Sequence, residues 1–257
     1  MPNLKESERL DKVLSNEGFG TRKEVRRIVR SGSVTVNGTV IFQESVHVNA
    51  YKDEISVDGK MISAKRQYHF MLNKPSGYVC STKSDSHHIV FDLFSEEDVK
   101  KFVETGSLSM VGRLDCDTEG LLVLTTDGAL NHRLTSPKYN IPKKYYVKLK
   151  YPVDEKKQAE YTERIARGIH IAAEGKASEA DCKPAVLEWE SEESCFITVT
   201  EGMFHEVKRI FKALDNEVVY LKRVSINALV LDEKLSAGKY RELTEEELKL
   251  LDVSEGE

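Results

Sequence analysis

Apolar residues recur along this chain at two spacings, and each change of spacing marks a new element. In ERLDKVLSNEGFG, Leu10, Val13 and Leu14 fall at helical spacing; Gly18 and Gly20 are placed to end that helix and Thr21 to cap the next. TRKEVRRIVRSG carries an apolar stripe of Val25, Ile28 and Val29. SVTVNGTVI then alternates as a strand does, with Asn37-Gly38 as a tight turn. These elements predict a small domain over residues 1–60, with Gly59 to Gln67 reading as a connection whose linker proper is 61–67.

A larger domain is expected over 68–257. YHFMLNKPSGYVCST predicts two short strands around the turn Lys74-Pro75-Ser76-Gly77, and a helical stretch follows around Ser95 to Val103. LLVLTT reads as a strand, with Asp127 placed to cap a helix through Leu134. KKYYVKLKYPV alternates, so Tyr145, Val147 and Leu149 share one face. EKKQAEYTERIARG is an amphipathic helix closed by Gly168, and KPAVLEWE and SCFITVTEG are strands. MFHEVKRIFKALDN places Val207, Ile210, Phe211 and Leu214 at i, i+3, i+4 and i+7, with His205, Lys208 and Lys212 on the flank of that stripe. VVYLKRVSINALVL and a capping box from Thr244 to Glu247 complete the domain. Strands with interspersed helices predict an α+β fold: a small amino-terminal domain plus a larger domain built on a mostly antiparallel mixed sheet.

Charge changes this picture locally. The chain has 257 residues and a formal charge of -5, which by itself does not suggest a nucleic-acid partner. The helix from Arg22 to Arg30 departs from that average, carrying Arg22, Lys23, Arg26, Arg27 and Arg30 against one acid, Glu24. A helix of nearly one sign, followed by a hairpin, suits contact with RNA or DNA phosphates. From Arg241 to Glu257 the balance reverses, as expected of a solvated helix and tail. Four scattered cysteines form no CxxC pair, so neither a zinc site nor a disulfide framework is indicated. MPNLKESERL has no apolar signal region, and no uninterrupted apolar run is long enough to cross a bilayer, so a soluble cytoplasmic protein with no membrane partner is expected.

Candidate chemistry concentrates in VGRLDCDTEGLLVLTTDG, Val111 to Gly128, where Asp115, Asp117 and Glu119 alternate ahead of an apolar run. The alternating acids and Gly120 resemble the opening of a calcium loop, but the twelfth position is Thr126 and the flanks read as strands. His205-Glu206 opens a zinc motif whose second histidine is replaced by Arg209. No metal is therefore expected. A glycosidase would pair Asp115 with Asp117 or Glu119, yet no aromatic-rich sugar groove accompanies them. A carboxylate in a turn, a tyrosine on a later strand and a lysine beside a core helix remain. Lys208 or Arg209 could compensate a buried Asp115, and Lys74 is either an ordinary turn lysine or part of a site. On residue types alone, Asp115 fixes its turn or does chemistry, and Tyr145 is core or stacks on a flat ring.

FMLNKPSGYVCST, GRLDCDTEGLLVLTTDG, LTSPKYNIPKKYYV, KPAVLE and EGMFHEVKRIF together resemble the small-subunit rRNA pseudouridine synthase A family, and the resemblance covers nearly the whole chain. It implies that the amino-terminal region is an RNA-binding domain of a type first known from a ribosomal small-subunit protein. It implies that Asp115 is the catalytic aspartate, that Tyr145 stacks on the target base, that Lys208 is the aspartate's basic partner and that Arg113 helps hold the flipped nucleotide. Asp117 and Glu119 match no catalytic position and become turn and surface residues. Phe204, Glu206 and Asn227 depart from the family, which more often has Tyr, Gln and Gly there.

The implied reaction is isomerisation of uridine to pseudouridine in small-subunit ribosomal RNA, by a monomer that needs no cofactor. Arg209, Lys74 and the five basic residues of the helix at 22–30 are the further candidates for holding RNA. A large-subunit rRNA synthase of the same superfamily, a non-catalytic assembly factor and a glycosidase are the alternatives.

Overall fold

The first two helices begin where their caps dictate. In the computed structural model, which describes residues 8–49, 53–62, 67–103 and 108–252, α1 spans Leu10–Asn16 and α2 spans Arg22–Arg30. Thr21 accepts a hydrogen bond from the Glu24 amide at 3.4 Å, and the Glu24 carboxylate accepts one from the Thr21 amide at 2.7 Å. This reciprocal box satisfies two amides that the helix start leaves without partners. Leu10, Leu14, Val25 and Val29 turn inward against Val34 and Ile55. The strands β1 (Val34–Val36) and β2 (Thr39–Val40) form the expected hairpin, with Asn37 and Gly38 both left-handed at φ 50° and 76°.

The connection expected from residue 61 begins later than the sequence suggests. β3 (Ile55–Val57) pairs with β1 and, through a turn at Asp58-Gly59, with β4 (Lys60–Ile62). Met61 and Ile62 are therefore strand residues, and 63–66 lie outside the described residues, as does the tail beyond 252. The chain divides into two compact units, the first comprising Met1–His69, Phe94–Ser109 and Thr125–Gly128 and the second the remainder.

The second unit is built on a nine-stranded mixed sheet. In chain order its principal elements are β5 (His69–Lys74), β6 (Glu119–Thr125), α3 (Gly128–Thr135), β7 (Lys143–Leu149), α4 (Glu155–Ala166), β8 (Val186–Trp189) and β9 (Ser194–Val199). These are followed by α5 (Glu206–Lys212), β10 (Val218–Ile226), β11 (Tyr240–Glu242) and α6 (Glu245–Leu250). The main path runs β8-β9-β7-β10-β6-β5-β11, with the short strands Ser109–Met110 and Leu229–Val230 paired at its side. β7 is antiparallel to β9 and β10, whereas β6 and β10 run parallel. Leu121, Leu122, Val123 and Leu124 of β6 are all fully buried, as a strand covered on both faces requires.

One face of β7 carries Val147 and Leu149 into a cluster with Tyr161 and Ile165 of α4 and Val207, Ile210 and Phe211 of α5. That burial holds α5, and with it Lys208, against the sheet. Two sequence expectations change in detail. The helix expected from MFHEV starts only at Glu206, because His205 is left-handed at φ 48° and the chain bends there. Tyr78–Val79 pairs in parallel with His88–Ile89. Among the described residues, no helix is long and apolar enough to cross a membrane.

The parallel contact of β6 with β10 leaves no room for a side chain at Gly120. That residue has φ 99°, and a Cβ on it would lie 2.2 Å from the Arg223 carbonyl oxygen. Gly38 also has positive φ, but a Cβ there meets nothing within 4 Å. Gly38→Ala is therefore expected to cost only about 1 kcal/mol of backbone strain. Gly120→Ala is expected to cost several times that, because β6 and β10 must part. Thermal melting of the two variants checks this contrast.

Candidate active site

The segment Val111–Gly120 turns back on itself before entering β6, and a lysine from another strand holds that turn. Lys74, at the end of β5, is fully buried and donates from Nζ to the carbonyl oxygens of Pro75 (3.0 Å), Asp115 (3.1 Å), Cys116 (3.2 Å) and Thr118 (2.8 Å). Burial pulls its pKa below the ordinary lysine range, with nearby thiols and carboxylates opposing. The Thr118 amide donates to the Asp115 carbonyl at 3.1 Å, and the Leu114 amide donates to Cys80 Sγ at 3.3 Å. The loop is thereby fixed through its own backbone, and the Asp115 side chain is left to project.

It projects toward α5. Lys208 Nζ lies 3.2 Å from Asp115 Oδ2 and 2.6 Å from Asp117 Oδ1. His205 Nε2 is 3.8 Å from Asp115 Oδ1, while His205 Nδ1 pairs with Glu174 Oε1 at 2.7 Å. Glu174 also lies 3.6 Å from Lys212 Nζ. Burial would raise the Asp117 carboxyl, but the hydrogen bond and charge of Lys208 outweigh it and hold the pKa below the ordinary value. Burial likewise opposes the charged form of Lys208, and Asp117 and Asp115 together overcome it and raise that pKa. Asp117 is therefore part of the ion-pair group and not simply a turn residue.

Beside this group lies a half-open pocket lined by Arg113, Leu114, Asp115, Thr118, Tyr145, Val199, Gly202, Met203, His205, Glu206, Val207 and Leu221. Its walls mix apolar side chains and the Tyr145 ring with polar groups, the carboxyls of Asp115 and Glu206 together with His205 and Thr118, and Arg113 is exposed at the rim. Such a chamber suits a flat ring whose edges carry polar atoms.

The structure thus brings Asp115, Tyr145, Lys208 and Arg113 to one place. It does not bring Lys74 or Arg209 there as RNA contacts. Lys74 is consumed by four carbonyls. Arg209, only 3% exposed, donates to the carbonyls of Ala172, Phe204 and Ser178 and so ties α5 to neighbouring loops. Both act on the shape of the site from behind it.

On α2, all five basic side chains are exposed. Arg26 approaches Asp11 at 3.7 Å and Arg30 pairs with Glu44 at 2.7 Å, so part of the charge is answered within the unit.

Residues 68–213 match the family described as RNA pseudouridylate synthase, and residues 8–50 match the S4 domain. The chain belongs to the RNA pseudouridylate synthase family. It is 37% identical to the ribosomal small subunit pseudouridine synthase A of Haemophilus influenzae, over 95% of this chain and 99% of that protein. It is 40% identical to an uncharacterized RNA pseudouridine synthase of Bacillus subtilis, over 95% of this chain and 98% of that one. A crystal structure of a pseudouridylate synthase superposes with a TM-score of 0.64 at 38% identity, covering 95% and 99% of the two chains.

Within this RNA pseudouridine synthase, four site residues escape a motif reading: Glu174, His205, Glu206 and Arg223. His205 and Glu206 draw attention only as a failed zinc motif. Arg223 had a legible signal, since it stands two residues after Leu221 on the inward face of β10, where an apolar side chain is expected. Glu174 lies in a loop that no periodicity describes.

Glu206 is 6% exposed and lines the pocket. Burial, reinforced by Glu201, pushes its pKa from the ordinary 4.5 up to about 7, against the Met203 amide, Lys143 and Arg209. A carboxyl raised on folding carries no penalty while both states hold the proton, and a growing penalty once the unfolded chain releases it. Glu206 is therefore expected to destabilise the fold progressively as pH rises from 4.5 to about 7. Melting temperatures across that range should fall less steeply for Glu206→Gln than for the unaltered protein, with the variant gaining most above pH 7.

Proposed function

We propose that this RNA pseudouridine synthase isomerises a uridine in small-subunit ribosomal RNA, with Asp115 as the one indispensable group. The observation that carries the reading is the placement of Asp115: its loop is clamped by Lys74, its carboxylate lies 3.2 Å from Lys208, and it faces a pocket walled by Tyr145. The similarity to a ribosomal small subunit pseudouridine synthase supports the choice of RNA.

A uridine must leave its stack before any side chain can reach its sugar, and the Tyr145 ring can replace the stacking that is lost. Arg113 at the rim then holds the nucleotide's backbone. The bond from ribose C1′ to N1 breaks, the uracil turns, and C1′ bonds to C5. The proton on C5 is released as N1 takes one up, so composition is unchanged and no oxidant, reductant or cofactor is consumed. Asp115 serves either as nucleophile at C1′ or as the base that draws a proton from the sugar; both roles need its carboxylate, and the ammonium of Lys208 balances that charge.

Residues 1–60 form the tether in this reading and 68–257 the catalytic domain, acting as a monomer in the cytoplasm. The S4 and synthase matches at 8–50 and 68–213 support that division. The basic residues Arg22, Lys23, Arg26, Arg27 and Arg30 bring RNA to the site through phosphates. Lys23 and Arg27 contribute most, because Asp11 already answers Arg22 and Arg26, and Glu44 answers Arg30.

Chemical mapping of pseudouridine in ribosomal RNA from cells with and without the protein tests the substrate directly. A site lost from small-subunit RNA is expected; loss from large-subunit RNA would reassign it. Asp115→Asn should lower turnover by about 1,000-fold or more while RNA affinity holds, and Asp117→Asn, which keeps an acceptor for Lys208, by less than about tenfold. Near-normal turnover in Asp115→Asn would overturn the assignment. Replacing Lys23 and Arg27 together by Ala should flatten the dependence of log affinity on log salt by roughly 0.7 per lost phosphate contact. An unchanged slope would remove the helix from the tether.

A further inference from the structure

Arg223 is the largest fully buried side chain among the described residues, 1% exposed on a central strand. Its Nε donates to the Leu121 carbonyl at 2.8 Å, but its Nη2 is buried without any acceptor. No carboxylate among the described residues forms an ion pair with it. A buried guanidinium with an unmet donor is costly, and such a group persists where something else depends on it.

Its neighbours indicate what that is. Arg223 is the direct cross-strand partner of Tyr145, so the two side chains leave the sheet on the same face. A β-bulge between Lys144 and Tyr145 sets this register, and the absence of a side chain at Gly120 lets the backbone of Arg223 close against β6. Tyr145 lines the pocket, whereas Arg223 stands behind that wall. The phenol senses the cation: burial raises the Tyr145 pKa, and Arg223 is the foremost influence opposing it.

We propose that Arg223 is a positioning residue that acts through Tyr145: its buried Nη2 takes the Tyr145 hydroxyl oxygen as acceptor when a base enters the pocket, fixing the plane of the ring that stacks on it. This rests on the reading of the pocket as the seat of the flipped uracil. A β-strand tyrosine retains freedom about its side-chain torsions, and a stacking platform that swings misaligns the sugar carbon with Asp115. A tether on the hydroxyl removes that freedom from behind, where it does not compete with substrate for the ring face.

The test is a double-mutant cycle on single-turnover pseudouridine formation, using unmodified small-subunit rRNA transcript and the full-length protein. Arg223→Lys keeps the charge and loses the fork of donors; it should slow turnover about tenfold, with the half-saturating RNA concentration changed less than about threefold. In the Tyr145→Phe background the same substitution should change the rate by less than about twofold. Losses that multiply, or a Tyr145→Phe protein with unaltered turnover, would overturn the proposal. Asp115→Asn, run alongside, separates a failure of the pocket reading from a failure of the tether. A second measurement needs neither catalysis nor a change at the arginine. Tyr145→Phe is isosteric, and in the complex with the transcript the side-chain 15N resonances of Arg223 should differ between Tyr145→Phe and the unaltered protein. Resonances that coincide in the two complexes would overturn the tether whatever the turnover.

Discussion

The buried ammonium of Lys74 is the interaction on which the site depends. An ammonium has three N–H groups, and here four carbonyl oxygens converge on it, three of them from the loop that carries Asp115. The Asp115 and Cys116 carbonyls each accept from one backbone amide, of Thr118 and Gly77, and the central cation answers the acceptor capacity that these leave unmet. Charge-assisted bonds of this kind are stronger than neutral ones, which is how a short irregular segment acquires the rigidity of a strand. The direction of Asp115 follows from the backbone that Lys74 holds.

A second constraint complements the first. β6 and β10 approach so closely at Gly120 and Arg223 that only glycine fits, and this contact sets the depth at which β10 and its neighbour β7 sit relative to the loop. Tyr145 comes from β7, Asp115 from the loop before β6, and Lys208 from α5, which is pinned by Phe211 and Ile210 to the same sheet. Three residues far apart in sequence are thus positioned by one sheet and one lysine.

Much of this was legible in the sequence. The helices at 10–16 and 22–30, the Asn37-Gly38 hairpin, the alternation of KKYYVKL and the apolar run after GRLD all announce themselves through local periodicity and turn chemistry. The alternate placement of Tyr145 with Val147 already put the tyrosine on the helix-covered face. What the sequence hid was the destination of the polar atoms. Lys74 and Arg209 look like surface cations, and only the fold reveals the carbonyls that enclose them. Asp117 looks like a bystander two residues past the catalytic candidate, yet a lysine 91 positions later reaches it. The short strand Lys60–Ile62 hid because three residues beside a turn carry too little pattern to distinguish a strand edge from a connection.

The division of Lys208 between two acids has a mechanical consequence. Its shorter contact, 2.6 Å, is to Asp117, which is 69% exposed and outside the pocket lining, and its longer one, 3.2 Å, is to Asp115. An acid whose counterion has no other partner is held to that counterion, because leaving would strand a cation. Here the outer acid also holds the lysine, so the ammonium keeps an anion whatever the position of the Asp115 carboxylate. Asp117 serves as a mooring, and Asp115 rides on a slack line.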